Sequence, residues 1–358
     1  MKICFIGNNA KGMPVSDGGR IKMRNIMSEY KKMGHEISVV DLYKWQIRFL
    51  SIVANIKKAL KEQEVIIVMA GPKGSRMVLK LINSFKKKSK CKIVFIPVGL
   101  GTIDSLVKKI DLKNLGNFIN SVDYYGVKDD KMARYLKNID LVVPENEILY
   151  SLYKKFYHLD NVLLLQNFRY STPIKRVYKR SGSLKIVYMS RIVENKGALD
   201  LLNVAKNLAD KGLKISVDFY GEIQLENPDV FLKQLDKNFV YKGICDPKDS
   251  IKTLANYDLL CLPTKYYAEG TPGVVVESFF AGTPCLISNY SQVKSLVKNG
   301  QTGLVYEFNN IKDLEDKIEG IYYNKYDLES ISKNVLKESK KYDIDSAIIA
   351  MKKIIELE

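Results

Sequence analysis

Short apolar runs alternate with helix-patterned stretches along this chain, and the alternation stops once, at residues 170–183. Before the break, runs of strand length fall at 2–7, 36–40, 64–69, 91–97, 141–143 and 161–165. Helical spacing occupies 19–33, 45–60, 75–85 and 147–157. After the break, strands are expected at 184–189, 214–219, 239–241, 259–262, 284–287 and 303–306. Helices are expected between and after them, at about 198–209, 248–255, 274–281, 291–297, 311–322 and 345–357. Apolar runs this short suit strands buried on both faces, the condition of a parallel sheet wound with helices. The break is polar and basic and holds Pro and Gly, as an interdomain linker does. Two arrays in 358 residues predict an α/β chain of two doubly wound parallel-sheet domains, 1–172 and 173–342, facing across a cleft. The last helix, about 343–358, follows the second array and is free to pack back on the first domain.

Composition narrows the function classes. Apolar residues make up 46%, which is enough for buried cores and excludes a disordered chain. No apolar run approaches the ~18 residues that cross a bilayer, and the start is too short in apolar residues for a signal peptide. The five cysteines have neither metal-site nor redox spacing and read as reduced core residues of a cytoplasmic protein. The net charge of +17 is unevenly placed: residues 1–170 hold 30 Lys and Arg against 15 Asp and Glu. Such a half suits an anionic membrane surface or a diphosphate-bearing substrate; plain solubility is the competing explanation. The stripe Trp45, Phe49, Ile52, Val53, Ile56, Leu60 reads as a core-facing helix, or else as a helix dipping into lipid.

Several chemistries are absent from the pattern. The loop after the first strand has Met where a phosphate-binding loop needs Lys, and it is not a dinucleotide fingerprint. Neither of the two histidines, His35 and His158, has a nucleophile placed beside it. Asp343 and Asp345 have the spacing of a metal-binding pair, but they precede the last helix, where Asp serves as a cap.

What remains is a group of charges beside glycine turns. Glu269 stands just before Gly270-Thr271-Pro272-Gly273, which leads from a strand into a helix. Such a turn exposes backbone N–H groups and the positive end of the helix dipole, a setting for a diphosphate. Glu277 lies one turn in, and its side chain leans back toward that mouth, where a carboxylate accepts two hydrogen bonds from a ribose. Glu269 is placed to meet hydroxyls of a second sugar. Arg191 and Lys196 follow the first strand of the second array, before Gly197, and supply cations for phosphate oxygens.

Arg191, Lys196 and Gly197, the run at 257–264, Glu269 with Glu277, and the following Ala-Gly-Thr-Pro-Cys together resemble glycosyltransferase family 4. The resemblance covers about 184–325 and extends more weakly to 16–41 and to Leu164-Leu165-Gln166-Asn167-Phe168. The segment around Glu269 is similar to members that build bacterial capsule or exopolysaccharide. The resemblance implies a GT-B fold of two Rossmann-like domains and retaining transfer from a nucleoside-diphosphate sugar, UDP-sugar favoured. It implies no metal and no cofactor beyond that co-substrate. The implied catalytic residues are Arg191, Lys196 and Glu269. The implied donor-binding residues are Glu277, Gly270, Thr271, Pro272, Gly273, Val274 and Val275, with Ile244 lining the base. The backbone N–H groups from Thr271 to Val275 would meet the phosphates or the sugar. Gly18 and Gly19, with Arg20 beside them, would form a first-domain turn at the donor or acceptor. This chain has Pro97-Val98-Gly99-Leu100-Gly101 where many relatives place a His, and Ser278 where Ala is commoner. The implied partners are a nucleotide-sugar donor, a lipid-linked or saccharide acceptor and an anionic membrane surface, with no nucleic acid. The implied place is the cytoplasm, peripheral on the inner face of the plasma membrane. A non-catalytic protein of the same fold, stabilising another transferase, is the alternative.

Overall fold

The computed structural model describes residues 1–10, 18–86, 89–99, 131–170, 174, 176, 178, 180, 182–267, 269–290 and 292–356. The chain divides into two units: Met1–Asn167 with Asp345–Glu358, and Phe168–Ile344.

The first unit is built on five described strands: β1 Lys2–Gly7, β2 Glu36–Asp41, β3 Val65–Met69, β4 Lys92–Phe95 and β5 Leu141–Val142. They run parallel in the order β2-β1-β3-β4-β5. Burial explains the composition: every residue of β3 is buried, so the strand is apolar throughout rather than alternating. The helices are α1 Gly18–Lys32, α2 Phe49–Glu62, α3 Pro72–Phe85, α4 Lys131–Leu136 and α5 Glu147–Ser151, which runs on into a π turn at Leu152–Phe156. The Asn146 side chain caps α5 by accepting the Leu149 N–H at 2.9 Å.

Three expectations for this unit change. The segment at 161–165 is not a full strand. It lies beside β5 through a single bridge, Val142 to Val162, while the Asn161 amide donates to the Ile139 and Asp140 carbonyls. The helix expected from Trp45 begins at Phe49, because residues 43–48 form a hydrogen-bonded turn. Gly18 and Gly19 open α1 instead of forming a turn; the residues just before them are outside the described set.

The second unit has six described strands: β6 Leu184–Met189, β7 Ile215–Tyr220, β8 Phe239–Tyr241, β9 Leu259–Leu262, β10 Cys285–Ser288 and β11 Leu304–Tyr306. All pair in parallel, in the order β11-β10-β9-β6-β7-β8. Its helices are α6 Ala198–Asp210, α7 Asp229–Leu232, α8 Ser250–Leu254, α9 Gly273–Ala281, α10 Ile311–Tyr322 and α11 Leu328–Glu338. The helix expected at 291–297 is only a 3-10 turn, Val293–Ser295.

The boundary falls at Phe168, earlier than the expected residue 173, because the chain has already joined the second unit there. The Arg169 N–H bonds the Tyr342 carbonyl at 2.8 Å. The described residues of the expected linker also bond the second unit. Arg176 donates to the Tyr257 carbonyl at 2.6 Å, and Arg180 donates to the Ile321 and Tyr322 carbonyls at 2.7 and 2.6 Å. The last helix, α12 Ile344–Ile355, contributes to the first unit, where the Tyr30 hydroxyl donates to the Met351 carbonyl at 3.0 Å. Asp345 sits in its first turn, where the dipole favours a carboxylate.

One ion pair ties α1 to the end of β5. Lys22 Nζ lies 3.3 Å from Glu145 Oε2 and also donates to the Leu165 carbonyl, with both side chains buried. Removing one partner of such a pair strands the other charge in a low dielectric. Lys22→Met should therefore cost about 3–5 kcal/mol. Differential scanning calorimetry should show the midpoint of the first unit falling by roughly 10 °C.

Candidate functional site

In the second unit the strands run outward from β6 in two directions: β6-β7-β8 one way, β9-β10-β11 the other. The connections leaving the carboxyl ends of β6 and β9 part at this point, and a crevice at such a reversal is where ligands settle in open α/β sheets. The residues singled out in the sequence stand on these connections. Arg191 and Lys196 follow β6, and Glu269 follows β9.

The two connections are stitched together. The Asn195 carbonyl accepts the Lys265 N–H at 2.8 Å and the Thr264 hydroxyl at 3.3 Å. The Lys196 ammonium, buried, donates to Glu269 Oε2, and the Thr264 hydroxyl donates to the same oxygen at 3.3 Å. The main chain of Glu269 is fixed as well: its N–H bonds the Tyr266 carbonyl at 3.1 Å, and its carbonyl accepts the Gln292 amide at 2.8 Å. The Tyr290 hydroxyl holds the next carbonyl, Gly270, at 3.3 Å. The Lys196 ammonium also lies 6.0 Å from the Tyr266 ring centre.

Gly197 makes this possible. It ends the 3-10 turn Glu194–Lys196 and starts α6 with φ of 74°, and a Cβ there would overlap the Pro263 carbonyl. The left-handed backbone and the close approach each require glycine.

The second glutamate has a partner that sequence reasoning missed. Arg169 Nε donates to Glu277 Oε1 at 2.8 Å, and its Nη1 donates to the Phe168 carbonyl at 2.8 Å. The guanidinium lies over the start of α9: a Cβ on Gly273 would overlap Nη2. A cation at a helix N-terminus opposes the dipole, so Glu277 is what holds it there. No local pattern announces this contact, since the two residues are 108 positions apart. The only hint was that Arg169 directly follows the Leu164–Phe168 stretch that carried part of the resemblance.

The remaining candidates fall into place unevenly. Arg191 is exposed, its carbonyl accepts the Tyr188 hydroxyl at 2.8 Å, and its side chain makes no ion pair among the described residues. Of the backbone donors expected from Thr271 to Val275, Pro272 has none and the Val275 N–H is committed to the Pro272 carbonyl at 3.1 Å. The N–H groups of Gly273 and Val274 make no hydrogen bond among the described residues. Ile244 is 59% exposed after β8. The neighbouring Cys245 thiol is pushed up by burial, against a hydrogen bond with Thr253. Gly18 and Gly19 belong to the first unit, at the start of α1 beside the reversal of its own sheet order between β1 and β3. A Cβ at Gly18 would meet nothing within 4 Å.

Chemically, the candidate site therefore offers Lys196 and Arg169 held by carboxylates, the exposed Arg191, and the uncommitted N–H groups of Gly273 and Val274 at a helix start. This is a setting for a dianion flanked by hydroxyls.

Comparison with known proteins gives this arrangement a context. Residues 172–338 match the family model of glycosyl transferases group 1. The chain is 28% identical to the capsular polysaccharide biosynthesis glycosyltransferase CapM of Staphylococcus aureus over 154 residues, which is 42% of this chain and 39% of CapM. The match thus spans about two fifths of that relative's length. Among solved structures, Anabaena Alr3699/HepE in complex with UDP-glucose superposes with a TM-score of 0.70 at 15% identity, covering 99% of both chains. Sucrose-phosphate synthase from Thermosynechococcus elongatus gives 0.76 at 13% identity over 99% of this chain and 98% of that one. The fold, two parallel-sheet α/β units, is that of the GT-B glycosyltransferases. Within it, the second unit holds the match to glycosyl transferases group 1.

Gly197→Ala should strain the junction that presents Lys196 and cost about 1–3 kcal/mol. Thermal unfolding should show a lowered midpoint for the second unit.

Proposed function

We propose that this chain is a retaining, metal-independent glycosyltransferase of family 4. It moves a sugar from a nucleoside-diphosphate sugar, with UDP-sugar favoured, to a lipid-linked saccharide acceptor in bacterial surface polysaccharide synthesis. It works in the cytoplasm, at the inner face of the plasma membrane. The observation that carries this reading is the meeting of Lys196 with Glu269 across the β6/β9 reversal, next to the open N–H groups of Gly273 and Val274. The capsular role named for CapM and the UDP-glucose named for HepE support the donor and the pathway class.

The charges suggest the mechanism. Breaking the sugar–phosphate bond leaves negative charge on the departing diphosphate. Lys196, held by Glu269, and the first N–H groups of α9 are a cation and dipoles that, with the Arg191 guanidinium, would favour that charge more in the transition state than in the ground state. Glu277 accepts the ribose hydroxyls once Arg169 turns from it to the phosphates. Glu269 orients Lys196 and accepts hydroxyls of the donor sugar. In retention the acceptor hydroxyl attacks from the face the diphosphate leaves, and the leaving phosphate oxygen takes its proton. Ile244 covers the base through its backbone.

The test is nucleotide release from a panel of UDP-sugars with a lipid-linked saccharide acceptor. Wild-type protein should release UDP with one sugar, and Lys196→Ala should lower turnover by about 10²–10³ while staying folded. Donor binding without turnover would favour the non-catalytic alternative. A folded Lys196→Ala protein with near-full rate would remove Lys196 from the mechanism.

A further inference from the structure

The connection from β2 into α2 places apolar side chains outside. Ile47 is 81% exposed, Leu50 83% and Phe49 40%. The segment is built, not frayed. The Trp45 N–H bonds the Leu42 carbonyl at 3.1 Å, the Ile47 N–H bonds Lys44 at 3.3 Å, the Arg48 N–H bonds Trp45 at 3.2 Å and the Ile52 N–H bonds Arg48 at 3.0 Å. Behind it, Ile52, Ile56 and Leu60 anchor the opposite face of α2 in the core. Tyr43 and Trp45, the chain's one tryptophan, sit half-buried beside the exposed trio. Amphipathic aromatic rings of this kind favour the boundary between water and hydrocarbon.

Along the segment the charge has one sign: Lys44 and Arg48 are exposed beside the trio, and no acidic residue lies between Asp41 and Glu62. Farther along α2, Lys58 pairs with Glu62 at 3.8 Å and Lys57 lies over the Phe85 ring. Three protruding apolar side chains flanked by two cations match an anionic bilayer, with acyl chains for the first and headgroup phosphates for the second. A protein partner would have to supply a pocket and acidic groups around it; a membrane supplies both everywhere along its surface. Among the described residues no helix is long and apolar enough to cross a membrane, so contact through this segment is docking.

We propose that Ile47, Phe49 and Leu50 form a wedge that docks the first unit on an anionic membrane, with Lys44 and Arg48 at the headgroups. The wedge follows the carboxyl end of β2, the sheet edge from which α1 also starts at Gly18. A lipid-anchored acceptor would therefore arrive on that edge. The inference deepens the transferase reading on its acceptor side, while vesicle binding itself can be read without donor, acceptor or turnover.

Sedimentation with phosphatidylglycerol-containing vesicles and with pure phosphatidylcholine vesicles tests the proposal. The wild type should pellet with the anionic vesicles, and Trp45 emission should shift to the blue. The double variant Ile47→Ser/Leu50→Ser should lower partitioning on the order of 10-fold or more. Lys44→Gln/Arg48→Gln should lower it roughly 5-fold per charge at low salt. All four side chains are exposed, so the unfolding midpoint should not move. A UDP thermal shift run on the same variants should be unchanged, which separates failure of docking from failure of the donor reading. Wild-type protein that ignores anionic vesicles, or a serine variant that pellets like wild type, would overturn the proposal. So would a dimer in size-exclusion chromatography that the serine substitutions dissolve, since a second copy would then be the occupant.

Discussion

The contact between Lys196 and Glu269 crosses the place where the second sheet reverses its strand order, and the rest of the site is arranged around it. One residue leaves β6, the other β9, and both are fixed by their main chains before any ligand arrives. A flexible lysine on an exposed loop would lose much of its electrostatic worth to water and rotamer entropy. This one is buried, shares its acceptor with Thr264 and closes a turn that Gly197 ends with a left-handed backbone. Preorganisation of this kind lets a cation act on charge that develops only as a bond breaks.

The pairing of Arg169 with Glu277 has the same character. Partly buried ion pairs seldom add much stability, because desolvation offsets most of the attraction. Holding a guanidinium at the positive end of α9 has no evident structural purpose. It makes sense as a resting arrangement in which each charge occupies the other's ligand position. Under the proposed function, a nucleoside diphosphate exchanges this ion pair for a phosphate–arginine ion pair and for hydrogen bonds from its ribose hydroxyls to the carboxylate. Within these two pairs each charge is matched, while Arg191 stays exposed to solvent.

The sheets were the most legible part of the sequence, for a physical reason. A strand buried on both faces is apolar at nearly every position, so β3 and β9 stood out as short uninterrupted runs. Edges were harder. The segment at 161–165 has strand composition, yet its first residue spends its side chain on the Ile139 and Asp140 carbonyls, and only one bridge to β5 forms. Helix α11 was not read because its apolar positions, Leu328, Ile331 and Val335, are few among polar neighbours. In the site, Lys196, Glu269 and Glu277 could be chosen because they flank glycine turns at strand ends. Their salt bridges could not, because each joins residues far apart in sequence. Arg169 lay beyond sequence reasoning for the same reason, and Val275 lost its expected role to a hydrogen bond that only coordinates reveal. The apolar stripe at 45–60, which reads as facing the core or else dipping into lipid, keeps Ile52, Ile56 and Leu60 buried, while Phe49, where the helix starts, is 40% exposed.

The most direct measure of this account is isothermal titration calorimetry of UDP and UMP into the protein without acceptor. Gripping a diphosphate at Lys196, Arg169 and the start of α9 requires that UDP bind one-to-one and that UMP bind at least tenfold more weakly, on the scale of one charge-assisted contact of about 1.5–3 kcal/mol. Equal binding of the two nucleotides, or heat from neither, would contradict it.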